Sequence, residues 1–161
     1  MKTFVLLTLF LFTIFSATIS AQTLKLPTTC QKILDSKFSG WKRANVLDVI
    51  KQSYRGNSSE EPNLIKGDWN GDGKIDYAVL IQKESERKIV VFLRSSNVYK
   101  PFTLEGIDFI ALIKRGEKGY NYDTNKKFVY RNDAIYTGAW AQAGVSFIWN
   151  DKKFIKVQTS E

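Results

Sequence analysis

The sequence predicts an α+β fold: a mostly antiparallel sheet of about six strands with an N-terminal helix packed on it. Three observations lead there. A helix-type pattern opens the chain after its leader, between Pro27 and Ser39. From Ile75 onward, segments rich in Val, Ile, Phe, Tyr and Trp recur at short intervals. Two of the connections between them read as hairpin turns, which makes the sheet antiparallel.

Residues 1–21 begin with Lys2, run through the apolar stretch from Phe4 to Phe15 and close on Ser16, Ala17, Ser20 and Ala21. Charge, apolar core and small residues in that order describe a secretory signal peptide, cleaved after Ala21. A membrane span takes about 20 apolar residues, and this run is shorter. Cys30 follows Pro27, Thr28 and Thr29, which is no lipid-attachment motif, so export without a membrane anchor is expected. Residues 22–161 then form a single secreted domain, periplasmic or extracellular, and a monomer.

Within 27–39, Pro27 to Thr29 can open a helix, Ile33, Leu34 and Phe38 share a face, and Gly40 suits the stop. Asn45 to Tyr54 fits helix and strand templates about equally. Arg55 to Asn63 is a polar surface loop, and Asn57-Ser58-Ser59 within it is a glycosylation sequon only in a eukaryotic source. Ile75 to Gln82 and Lys88 to Arg94 form a hairpin whose strands are apolar on both faces, as central strands are. Further strands are expected at Phe109 to Lys114, Lys127 to Tyr130 and Ala134 to Trp140. Val145 to Trp149 and Lys153 to Gln158 flank the turn Asn150-Asp151-Lys152 as a terminal hairpin.

One stretch carries chemistry. Gly67 to Ile81 reads GDWNGDGKIDYAVLI, with Asp68, Asn70, Asp72 and Asp76 at alternating or near-alternating positions and Gly73 at the sixth. Calcium takes six to eight oxygens at about 2.3–2.6 Å, and a tightly wound loop turns alternate side chains to one centre. Asp68, Asn70 and Asp72 are the expected side-chain ligands and Asp76 a direct or water-bridged one, with Lys74 donating its backbone carbonyl, water the remainder, and Ile75 pointing inward to tie the loop to the core. Three carboxylates crowded without an ion repel, by roughly 4 kcal/mol per pair at 4 Å and an effective dielectric near 20. A plain Asn-Gly or Asp-Gly turn explains the glycines but does not require the three acids.

The loop is similar to two calcium motifs, and its departures separate them. An EF-hand would have Glu where Val79 stands and a helix after it. The pattern D-x-N-x-D-G-x-x-D leading into a strand resembles the calcium loops of FG-GAP repeats of integrin-type propellers. That resemblance implies the same ligands, Asp68, Asn70, Asp72, Lys74 and Asp76, with Ca²⁺ as cofactor. A propeller repeats the motif blade after blade, and no second copy follows here. The mature chain is also similar to small uncharacterised secreted bacterial proteins, through Phe38-Ser39-Gly40-Trp41, the Gly67 to Ala78 loop and the ending around Asp133-Ala134-Ile135 and Phe147 to Ser160. That likeness implies export and one domain.

The chain contains no histidine, which excludes Ser-His-Asp and Cys-His nucleophile systems, His-ligated zinc and histidine general bases. Two-carboxylate hydrolysis survives in principle, but no spacing singles out a pair among Glu60, Glu61, Glu105 and Asp108. A non-catalytic protein is expected. Its single cysteine forms no internal disulfide, and Cys30 reads as a small core residue. With 24 Lys and Arg against 16 Asp and Glu the chain is basic, but its lysines are scattered among acids, which points away from specific nucleic-acid binding. The alternative function is a binding or inhibitory module for an envelope enzyme or anionic glycan. Trp140, among Gly138, Ala139, Ala141, Ala143 and Gly144, is its candidate contact, while Tyr120, Tyr122, Tyr130, Tyr136 and Trp149 read first as strand and core residues.

Overall fold

The structure, a computed structural model, describes residues 24–54 and 61–160. The expected leader, residues 55–60 of the polar loop and the Asn57 sequon lie outside them. A short helix, α1 (Thr28–Lys37), is followed by β1 (Lys42–Arg43) and a six-residue helix, α2 (Asp48–Ser53). The strands β2 (Leu64–Gly67), β3 (Asp76–Lys83), β4 (Glu86–Ser95) and β5 (Val98–Glu105) come next. They are followed by β6 (Phe109–Ile113), β7 (Lys118–Asn121), β8 (Lys126–Val129), β9 (Ala134–Gly138), β10 (Gly144–Trp149) and β11 (Phe154–Ser160).

Among the described residues the strands build three antiparallel sheets. The first runs β1-β3-β4-β5, with β2 also paired to β3; the second runs β11-β10-β9-β6; β7 and β8 form a separate ribbon. The expected α+β class, one six-stranded sheet under a helix, is therefore corrected to a mostly β fold, with 49% of the described residues in strands and 12% in two helices. The physical reason lies in how little the helices bury. Cys30 and Leu34 are the buried residues of α1 and Ile50 that of α2, too few to make a layer.

The hairpin expected after Ile75 is present, paired from Tyr77↔Phe92 to Lys83↔Glu86 and turning at Glu84, whose φ is 54°. Its two apolar faces have different neighbours. Ala78, Leu80, Ile89, Val91 and Leu93 face the second sheet and meet Ile110, Ile135, Val145 and Phe147 in one core. Val79, Ile81, Val90 and Phe92 face the other way, into a cluster with Leu64, Cys30 and Leu34. Alternation along a strand puts successive side chains on opposite faces, so a strand buried on both sides needs an unbroken apolar run, as β3 and β4 have.

The terminal hairpin β10–β11 pairs Trp149 with Phe154, and the Asn150 carboxamide oxygen accepts the Lys153 N–H at 3.0 Å to close the turn. Strands β1, β2, β5 and β7 were not expected from the sequence. Two-residue β1 and four-residue β2 are shorter than any periodicity can register. β5 carries Pro101 and lies at the end of its sheet, where a missing N–H does no harm. No helix among the described residues is long and apolar enough to cross a membrane.

Candidate metal centre

The loop from Asp68 to Ile75 connects β2 to β3, and its ends are held by the pair Gly67↔Asp76. Its side chains fold the loop on themselves. The Asp68 carboxylate accepts the N–H groups of Asp72 at 3.0 Å and Gly73 at 2.9 Å. Asn70 accepts the Asp72 N–H at 3.2 Å, and Asp72 accepts the Lys74 N–H at 2.9 Å. Short polar side chains that bond backbone two to five residues on are what wind such loops. Gly71 and Gly73 take φ of 74° and 76°, the left-handed region where glycine is unstrained.

Asp76 is the buried member. It is 0% exposed, and its carboxylate accepts the Trp69 N–H at 3.1 Å and the Arg94 N–H at 2.7 Å, so it ties the loop to β4. Burial pushes its carboxyl up to about 6, against the lowering effect of those two N–H groups and with the charges of Asp72 and Asp68 adding to the rise. At Asp72 the balance is reversed. Burial works to raise it, but the Lys74 N–H and ammonium together with Asn70 hold it below its ordinary value. The Lys74 ammonium lies 3.2 Å from the Asp72 carboxylate.

The donors are hard oxygens from carboxylates, a carboxamide and a backbone carbonyl, which fit calcium in kind. The charges of Asp72 and Asp68 add to the rise at the buried Asp76, but less than burial itself does. The carboxylates are held by the loop's own N–H groups rather than drawn together. Among the described residues, no group of three or more His, Cys, Asp or Glu side chains is gathered for a metal ion.

Three residues that matter to this loop were missed in the sequence. Ile75, expected to point inward, is 50% exposed, and Trp69 takes its place, fully buried in the core between the sheets. Among the described residues the Trp69 indole N–H has no hydrogen-bond partner. Asn132 and Asp133, between β8 and β9, clamp the loop from outside. Asn132 donates to the Trp69 carbonyl at 3.2 Å, and Asp133 accepts the Asp68 N–H at 3.0 Å and the Arg115 N–H at 2.9 Å. A Cβ on Gly71 would lie 2.7 Å from the Asn132 carboxamide oxygen, so the clamp requires glycine there. Asp133-Ala134-Ile135 had drawn notice only as part of a resemblance; its contact with the loop spans 65 residues and leaves no local signal.

Trp140, the other candidate, lies after β9 with its N–H 3.3 Å from the Asp108 carboxylate. It is 39% exposed and borders a hollow of about 310 Å³ with Tyr54, Phe109 and Tyr136. Tyr130 is buried with its hydroxyl 2.9 Å from that of Ser146, and Trp149 packs edge-on to Phe102 and Phe154, so both serve the interior. Cys30 is fully buried, and burial pushes its thiol up to about 11, which leaves no reactive thiolate. Of the acids weighed for hydrolysis, Glu61 pairs with Arg43, Glu105 with Lys156 and Asp108 with Arg87. Compared with protein families, curated proteins and solved structures, the chain matches none.

Proposed function

We propose that this is a secreted, non-catalytic, calcium-binding protein in which the ion stabilises the β2–β3 connection. The observation that carries the reading is the buried Asp76, held at the loop's inner end with the charges of Asp68 and Asp72 bearing on it. Asp68, Asn70, Asp72 and Asp76 would hold the ion through side chains and Lys74 through its carbonyl. When bound, calcium would supply positive charge to offset the three carboxylates. Asp76 then links the loop to β4 through the Arg94 N–H, and Asp133 links it to the neighbouring connection. In a calcium-rich exterior even a site of the millimolar class stays largely filled.

The test is a thermal melt in chelator, in millimolar calcium and in magnesium. Calcium at a hundred times its Kd stabilises by about 2.7 kcal/mol, a rise of roughly 10 °C for a domain of this size. Asp72→Asn should weaken calcium binding about tenfold by calorimetry. An unchanged affinity in that variant, or no calcium-selective rise in the wild type, would reject the site.

A further inference from the structure

The β7–β8 ribbon pairs with neither larger sheet. It is fastened to the body through the Tyr122 N–H on the Gln158 carbonyl at 3.0 Å and, at its base, through the Arg115 N–H on Asp133. The segment from Lys114 to Arg131 concentrates positive charge. Lys114, Arg115, Lys118, Lys126, Lys127 and Arg131 stand against Glu117 and Asp123 alone, in a chain of net charge +8. All six cations are exposed, and among the described residues only Lys114 is ion-paired, with Asp133.

Register decides what this segment presents. Lys118 lies opposite Val129, and Tyr120 opposite Lys127. Directly opposed residues share a face, and so do alternate residues along a strand. One face therefore carries Lys118, Tyr120, Lys127 and Val129, with the two lysines on a diagonal and the ring and the valine on the other. Val129 is 55% exposed. Tyr120 is held edge-on to Tyr122 at 4.9 Å, with its hydroxyl 3.3 Å from Asn125, so its ring is set before any partner arrives. On the opposite face Phe128 closes over Gly119, where a Cβ would lie 2.5 Å from the ring. The ribbon borders a shallow hollow of about 530 Å³.

We propose that the Lys118, Tyr120, Lys127 and Val129 face of the β7–β8 ribbon binds an anionic polysaccharide. Ammonium groups flanking an aromatic ring match a polymer whose sugars present carboxylates at their edges and C–H groups on their faces. The polymer lies along the ribbon, its acid groups on Lys118 and Lys127 and a sugar ring on Tyr120. A bilayer fits less well, because the ribbon's tip, Asp123 to Asn125, is acidic and polar while the apolar groups lie on the broad face. Duplex nucleic acid fits less well too. Phosphate contacts from Lys and Arg supply essentially all of non-specific nucleic-acid affinity, and this face presents two lysines. The proposal is independent of calcium.

The experiment measures binding of the full chain to polygalacturonate at low ionic strength, in chelator, with duplex DNA and phosphatidylglycerol vesicles as competing probes. Lys118→Glu with Lys127→Glu should weaken binding by about tenfold, since two exposed attractions become repulsions. The same reversal on α1, Lys32→Glu with Lys37→Glu, should change it by less than about threefold, and Tyr120→Ala should weaken it by about threefold or more. The neutral pair Lys118→Gln with Lys127→Gln should give an intermediate loss with an unchanged melting temperature, which separates lost contact from lost fold. Absence of binding, equal losses from the ribbon and helix reversals, or tighter binding of DNA or vesicles than of polygalacturonate overturns the assignment.

Discussion

Replacing Asp76 by Asn separates the two roles this carboxylate plays. Its carboxyl is raised from 3.8 to about 6, which at about 1.4 kcal/mol per pH unit makes its charge cost roughly 3 kcal/mol at neutral pH without a cation. The sign follows from the folded value lying above the unfolded one. That cost is fully present above pH 6 and fades as pH falls toward 3.8. Asn removes the charge but keeps one acceptor oxygen, so its NH₂ must face either the Trp69 or the Arg94 N–H. A lost hydrogen bond to a charged group takes away about 1.5–3 kcal/mol. In chelator at pH 7 the two effects offset, and the Asn variant should melt within a few degrees of the wild type. In calcium the variant should lose the roughly 10 °C rise that the wild type gains at a hundredfold excess over Kd. Melts of both proteins from pH 4.5 to 7.5, in chelator and in calcium, test this. A calcium rise in Asp76→Asn equal to that of the wild type would remove Asp76 from the ligand set. A fall of more than about 10 °C in chelator would show that the two N–H bonds outweigh the buried charge.

Asp133→Ala strips the clamp from the loop and leaves the Asp68 and Arg115 N–H groups without their acceptor, so it should cost about 2–4 kcal/mol in a denaturant titration. A change under about 0.5 kcal/mol would show that the clamp carries no stability. Trp69→Phe removes an indole N–H that has no partner among the described residues, and should cost less than about 1.5 kcal/mol, whereas Trp69→Ala should cost about 3–5 kcal/mol through the cavity it opens. Equal losses for the two variants would show that the indole N–H, and not the ring volume, is what the core depends on.

The shape of the 68–75 loop was legible because its causes are local. Asp68, Asn70 and Asp72 bond backbone two to five residues away, and Gly71 and Gly73 turn where their residue type allows. The β3–β4 and β10–β11 hairpins were legible for the same reason, each being closed by a turn between two apolar runs. The α+β class failed where local pattern says nothing about layers. A helix can be recognised from spacing, yet whether it covers a sheet depends on how many of its side chains find apolar neighbours, and α1 buries two.

By itself, then, the chain's order of residues determined the turn chemistry at 68–74 and the pairing of β3 with β4 and of β10 with β11. Tertiary structure alone decided that the second sheet covers the inner face of β3 and β4, that Trp69 and not Ile75 enters the core, and that Asn132 and Asp133 grip a loop more than sixty residues away. It also put Lys118, Tyr120, Lys127 and Val129 on one face. The division has one physical cause. Turns and caps are satisfied by backbone groups a few residues off, which any short window of sequence contains. Burial and register are satisfied by whatever the rest of the chain brings alongside, and that is set only when the sheets close on one another.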